Sequence, residues 1–199
     1  MKMRRLLAWF LPLAALGGEP ATAPMPAALG VQIEKPAGDG VHFSIGSGVY
    51  LGNGAVLTAA HVVTVNPANR SVSVILDGWK VDAAIKSVAK NDLDLALLQI
   101  APADLSLLRQ TQKPLPVCDN DPIPNQNVAV AAEGKVTLSV AAGSDVLAAG
   151  FHQGSSGGGV LDPVRGCLWG IVRLEMSNGS LDLTAFVPAR QISGFLAQP

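Results

Sequence analysis

The 199-residue chain has little charge, few aromatic side chains and almost no cysteine. Asp, Glu, Lys and Arg make up 15% of it and aromatics 5%, against 49% hydrophobic residues, which excludes a disordered chain and leaves ample material for a core. The formal net charge is -1, and no Lys/Arg run follows the first five residues. Nucleic acid is therefore not an expected partner, since its recognition depends on clustered cations. The three histidines, His42, His61 and His152, are scattered, and neither C-x-x-C nor H-E-x-x-H occurs, so no metal and no cofactor is expected. The length suits one ordinary domain or two small halves sharing a cleft, and excludes a long multidomain machine.

No apolar run is long enough for a comfortable membrane span, which takes roughly 20 residues. The longest, Leu6 to Leu16, is short, interrupted by Pro12 and preceded by Lys2, Arg4 and Arg5. That layout predicts a secretory signal or leader over residues 1–23, a mature chain over 24–199, and export to the periplasm or the outside. An uncleaved N-terminal membrane anchor is the alternative. Ala21-Thr22-Ala23 is one cleavage candidate, although Pro24 follows it, and Ala15-Leu16-Gly17 is its rival. Cys118 and Cys167 are compatible with one disulfide in an oxidising compartment, or with two buried thiols that never meet.

What is abundant is short apolar runs separated by turn residues. A first strand is expected near Val31 to Ile33. Six candidates follow: Val41 to Ile45, Val49 to Leu51, Ala55 to Ala59, Val72 to Leu76, Val81 to Val88 and Leu93 to Ile100, with hairpin signals at Asn53-Gly54 and Asp77-Gly78. The connector Ala101 to Pro116 separates these from six more: Val128 to Ala132, Val136 to Val140, Val146 to Ala149, Val160-Leu161, Leu168 to Leu174 and Leu181 to Val187. A short helix is expected between Pro188 and Ala197. The economical reading is all-β: two six-stranded antiparallel barrels, about 31–101 and 116–199, plus that helix. Periodicity alone does not separate paired barrels from a sandwich.

Three segments carry chemistry. In Gly154-Ser155-Ser156-Gly157-Gly158-Gly159, glycines flanking a serine let the backbone turn tightly and bring its amides near a substrate carbonyl. In Leu57-Thr58-Ala59-Ala60-His61, an apolar strand ends in small residues and presents an imidazole, able to take and return a serine proton. In Asp92-Leu93-Asp94-Leu95-Ala96-Leu97-Leu98, a carboxylate heads an apolar strand, where it can orient a histidine. Asp92 is the rival; Asp94, beside the unbroken apolar run, is the better-buried choice, and Asp92 suits the turn.

In order and spacing these blocks resemble the three catalytic blocks of trypsin/chymotrypsin-like serine proteases, and Gly46-Ser47-Gly48-Val49 resembles the strand preceding their histidine. The resemblance covers about residues 31–197. It implies two six-stranded barrels with His61, Asp94 and Ser156 in the cleft between them, and the backbone N–H groups of Gly154 and Ser156 as oxyanion donors. Substrates would be proteins or peptides. Ser155 stands where digestive members carry the aspartate that pairs with a new N-terminus, so the chain is more similar to HtrA-like bacterial peptidases, without room for a PDZ domain. Gly159 replaces the usual proline after the motif. The matching substrate pocket comprises Gly150, Gln153, Arg173, Glu175 and Thr184; no acid sits at its base, so small or medium apolar side chains are favoured unless Glu175 points inward. A catalytically silent peptide-binding module of the same fold, an esterase and an envelope β-sandwich are the competing readings; oligomeric state stays open.

Overall fold

The computed structural model describes residues 31–36, 43–65, 71–76, 78–90, 92–105, 114–177 and 182–198, without the side chains at 71 and 174–177. The expected leader over 1–23, its cleavage sites, His42 and Asp77 lie outside the described residues.

Six strands close the first barrel: β1 (Val31–Pro36), β2 (Phe43–Gly52), β3 (Ala55–Thr58), β4 (Ser71–Leu76), β5 (Trp79–Val88) and β6 (Ala96–Ile100), in the order β1-β2-β3-β6-β5-β4. Two of the expected strands are one: the runs around Ile45 and Val49 join through Gly46-Ser47-Gly48 into β2. The glycines there mark close packing, because a Cβ on Gly46 would sit 2.6 Å from Val62 and one on Gly48 2.9 Å from Ile33. Asn53-Gly54 forms the β2–β3 turn with both φ values positive, as a two-residue hairpin requires.

The second lobe holds β7 (Asn127–Ala132), β8 (Lys135–Val140), β9 (Val146–Leu147), β10 (Gly159–Leu161), β11 (Leu168–Ser177) and β12 (Asp182–Pro188), in the order β8-β7-β10-β11-β12-β9. This sheet is a half-barrel; a bridge between Ala141 and Leu147 draws its edges together at one end. The closed first barrel rules out a sandwich. Helix α1 (Ala60–Thr64) follows β3, and α2 (Ala189–Leu196) ends the chain where a helix was expected.

Strand alternation sorts the apolar side chains into three clusters. Tyr50, Val56, Val74 and Leu98 fill the first barrel, and Val128, Val130, Val160 and Trp169 fill the second. Their neighbours on the other faces, Val49, Leu57, Ala129, Ala131 and Leu161, form a third cluster between the lobes, covered by Ile192 and Phe195 of α2. β7 reads as an unbroken run of small apolar residues because both of its faces are buried.

Two features tie the second lobe down. Cys118 and Cys167 form a disulfide across 49 residues of sequence, and Cys118 N–H donates to Leu168 O beside it at 2.9 Å. Asp162, buried in the adjoining turn, accepts from the backbone N–H groups of Val164 and Arg165 and from the Arg165 side chain. Burial pushes its carboxyl up, but these hydrogen bonds and the Arg165 charge outweigh burial and hold it below the ordinary range. Between the lobes, Gly157 (φ 87°) donates to Val172 O at 2.8 Å while its α-carbon faces the Ser47 carbonyl and the Thr58 hydroxyl so closely that a Cβ would overlap both.

Two outcomes are expected. Replacing both cysteines with serine lowers stability by about 4 kcal/mol, the loop-closure value for a bridge of this span, read from the urea midpoint. Gly157→Ala combines a left-handed backbone with overpacking and costs about 3 kcal/mol or more, measured the same way.

Candidate active site

His61 owes its position to the single turn of α1. Val62 and Val63 are buried in the first barrel's core, which anchors the turn and leaves the adjacent imidazole facing out, with 51% of its side chain exposed. The strand expected to end at Ala59 stops at Thr58, whose hydroxyl donates to Ser47 O at 2.7 Å.

Asp94 lies in the extended segment entering β6. Leu95 is buried between the lobes, and Asp92, exposed at φ 57°, makes the turn before it. Asp94 Oδ2 meets His61 Nδ1 at 2.7 Å, and Asp94 Oδ1 accepts the His61 backbone N–H at 2.9 Å. A carboxylate only accepts, so Nδ1 carries the proton and Nε2, on the far edge of the ring, is the acceptor. Burial alone would raise the Asp94 carboxyl. The His61 side-chain and backbone hydrogen bonds, then the charges of His61 and Arg173, outweigh it and hold the group below the ordinary carboxylate range.

Ser156 sits at the corner of a tight loop. Ser155 N–H donates to His152 O at 3.1 Å and Gly158 N–H to Ser155 O at 2.9 Å, with Gly154 at φ 99° and Gly157 at φ 87° supplying conformations a side chain would resist. The loop is pinned to β2: Ser47 N–H donates to Ser156 O and the Ser47 hydroxyl to Gly154 O, both at 2.7 Å. Among the described residues, no backbone acceptor takes the N–H of Gly154 or Ser156. Gly159, in place of proline, opens β10 and pairs with both Ala131 and Ile171. Ser156 and His61 line one cavity of about 590 Å³ with Val62, Gln153 and Gly154, and Phe43 and Ile45 form an apolar rim.

The expected substrate-pocket residues do not all converge. Gln153 joins Ser156 on the cavity, whereas Gly150 lines a separate one of about 230 Å³ behind the loop. Thr184 is buried as a brace, its hydroxyl accepting from Phe151 N–H at 3.0 Å and donating to Ala149 O at 2.8 Å. Arg173 is exposed and acts electrostatically on Asp94. The Glu175 backbone pairs with Thr184, and its side chain is outside the described residues. Sequence reasoning missed Phe43, Ser47 and Glu133, the last of which accepts the Ser155 hydroxyl. The available signal for Glu133 was a glutamate in a Glu-Gly turn, a place that favours Asn or Gly. Among the described residues no three His, Cys, Asp or Glu side chains are grouped as metal ligands would be, and no helix is long and apolar enough to cross a membrane.

No curated protein sequence matches the chain. Among solved structures, the fold is similar to the crystal structure of Rv3671c protease from M. tuberculosis in its active form. The two are 18% identical with a TM-score of 0.68, covering 98% of this chain and 93% of that one. The inactive form of Rv3671c protease is similar at 20% identity and a TM-score of 0.65, covering 86% and 89%. The family described as the trypsin-like peptidase domain matches residues 46–171, a span that contains all three chemical blocks. The chain belongs to the trypsin-like peptidase domain family.

Proposed function

We propose that the protein is a serine endopeptidase acting through Ser156, His61 and Asp94. The observation that carries this reading is the His61 Nδ1 to Asp94 Oδ2 contact of 2.7 Å on a histidine that shares its cavity with Ser156. In the proposed reaction Nε2 of His61 takes the Ser156 hydroxyl proton as Oγ attacks the scissile carbonyl, while Asp94 stabilises the imidazolium. The N–H groups of Gly154 and Ser156 receive the developing oxyanion. Collapse passes the proton from His61 to the leaving amine and leaves an acyl-enzyme on Ser156. Water, deprotonated by the same Nε2, then releases the acid. No step requires a metal or an added cofactor.

Substrates are proteins or peptides, with small or medium apolar side chains favoured beside the scissile bond; the rim of Phe43 and Ile45 supports an apolar contact. Export is part of the proposal, supported by Lys2, Arg4 and Arg5 before the Leu6 to Leu16 run and by the Cys118–Cys167 disulfide.

A fluorophosphonate probe tests the assignment: the mature protein takes up one equivalent, Ser156→Ala takes up none, and Ser155→Ala is still labelled. A folded protein that takes up no probe is instead a silent binding module.

Asp94→Asn is expected to lower peptide or ester turnover on the order of 10⁴-fold, because the amide favours the wrong imidazole tautomer. Since folding depresses the Asp94 carboxyl, its contribution to stability is present above the unfolded value of about 3.9 and is lost as pH falls through the lower folded value. The gap in thermal midpoint between wild type and Asp94→Asn should therefore persist at pH 5 and close only below about pH 4, as read by calorimetry.

A further inference from the structure

The hairpin between β7 and β8 turns through Glu133-Gly134, with Ala132 paired to Lys135 on either side. Both turn residues have positive φ, 53° and 71°. The first position of such a turn suits Asn, Asp or Gly, and a glutamate held there is strained. Its side chain reaches back to the loop that carries Ser156. Glu133 Oε1 accepts the Ser155 hydroxyl at 2.6 Å, and Oε2 faces Lys135 Nζ at 4.0 Å. The Glu133 stem lies against Gly154, 3.4 Å from where a Cβ on that residue would stand.

The same glutamate is tied to the first barrel. Its backbone N–H donates to Ser47 Oγ at 2.9 Å, and Ser47 in turn donates to Gly154 O through its hydroxyl and to Ser156 O through its N–H. Ser47 and Ser155 are both buried. Glu133, Ser155, Gly154, Ser156 and Ser47 thus form a closed network that holds the peptide units adjoining those that carry the Gly154 and Ser156 N–H groups. Gly154 has the backbone freedom to turn those units away, so their aim depends on what holds its neighbours.

We propose that Glu133 is a positioning residue for the catalytic loop: by accepting the Ser155 hydroxyl it holds the Gly154 and Ser156 amides toward the cavity. The proposal rests on the serine-protease reading of that cavity. Glu133 is not among the residues lining the cavity of Ser156 and His61. It acts through Ser155, the residue immediately before the nucleophile, and it requires no newly cut N-terminus to do so.

The test measures the second-order rate of fluorophosphonate labelling beside the thermal midpoint for wild type, Glu133→Asn, Glu133→Gln, Ser155→Ala and the double variant Glu133→Asn/Ser155→Ala. Asn suits the left-handed backbone but is too short to reach Ser155. Glu133→Asn is therefore expected to keep or raise the midpoint while labelling slows about 100-fold, the scale for misplaced catalytic groups. Glu133→Gln keeps a carbonyl acceptor at full reach and restores the rate to within a few-fold of wild type. Ser155→Ala shows the same loss as Glu133→Asn, still short of abolition, and the double variant is no slower than either single one. Wild-type labelling together with an undiminished rate in Glu133→Asn and Ser155→Ala overturns the positioning role and leaves the protease reading standing. Rate losses that follow the thermal midpoint and are not rescued by Gln also overturn it. A folded wild type that takes up no probe overturns the protease reading and this role with it.

Discussion

The site depends on how closely the second lobe's loop is seated on β2. Two glycines and one serine govern that approach. Gly157 admits the Ser47 carbonyl and the Thr58 hydroxyl where any side chain would collide, and Gly46 faces both Val62 and Ser156 O. Ser47 then hydrogen-bonds Gly154 and Ser156 from the first barrel. His61 and Asp94 belong to one lobe and Ser156 to the other, so this junction decides whether they share a cavity.

The energetic division of labour follows from the clusters. The interlobe cluster of Val49, Leu57, Ala129, Ala131 and Leu161 supplies non-directional burial that brings the lobes together. Ser47 and Gly157 supply direction, because hydrogen bonds and a forbidden Cβ specify a register that apolar contact alone does not. On the first-lobe side, Asp94 spends both carboxylate oxygens on His61, one on the ring and one on the backbone, so the imidazole is fixed in orientation as well as in tautomer.

Much of this was legible in the sequence. Turn chemistry at Asn53-Gly54 and apolar alternation locate most strands, and Ile192, Phe195 and Leu196 announce the final helix. Asp94 was separable from Asp92 because Leu95 and the run after it had to be buried, and the structure puts Asp94 on His61 and Asp92 in an exposed turn. Other features are tertiary and left no local trace. By periodicity the runs on either side of Gly46-Ser47-Gly48 read as separate strands, and only the family resemblance reads the segment as strand; it is continuous strand thinned for packing against Val62 and Ile33. Thr184 reads as a pocket wall, yet its hydroxyl is occupied by Phe151 and Ala149. Glu133 lies 22 residues before Ser155, a separation no motif spans.

The proposed nucleophile is Ser156, activated across the lobe junction by His61. Tandem mass spectrometry of the fluorophosphonate-treated mature protein tests it most directly, by locating the adduct. The phosphonyl mass is expected on Ser156 alone; an adduct on Ser155 or on another side chain of the folded protein would contradict the assignment.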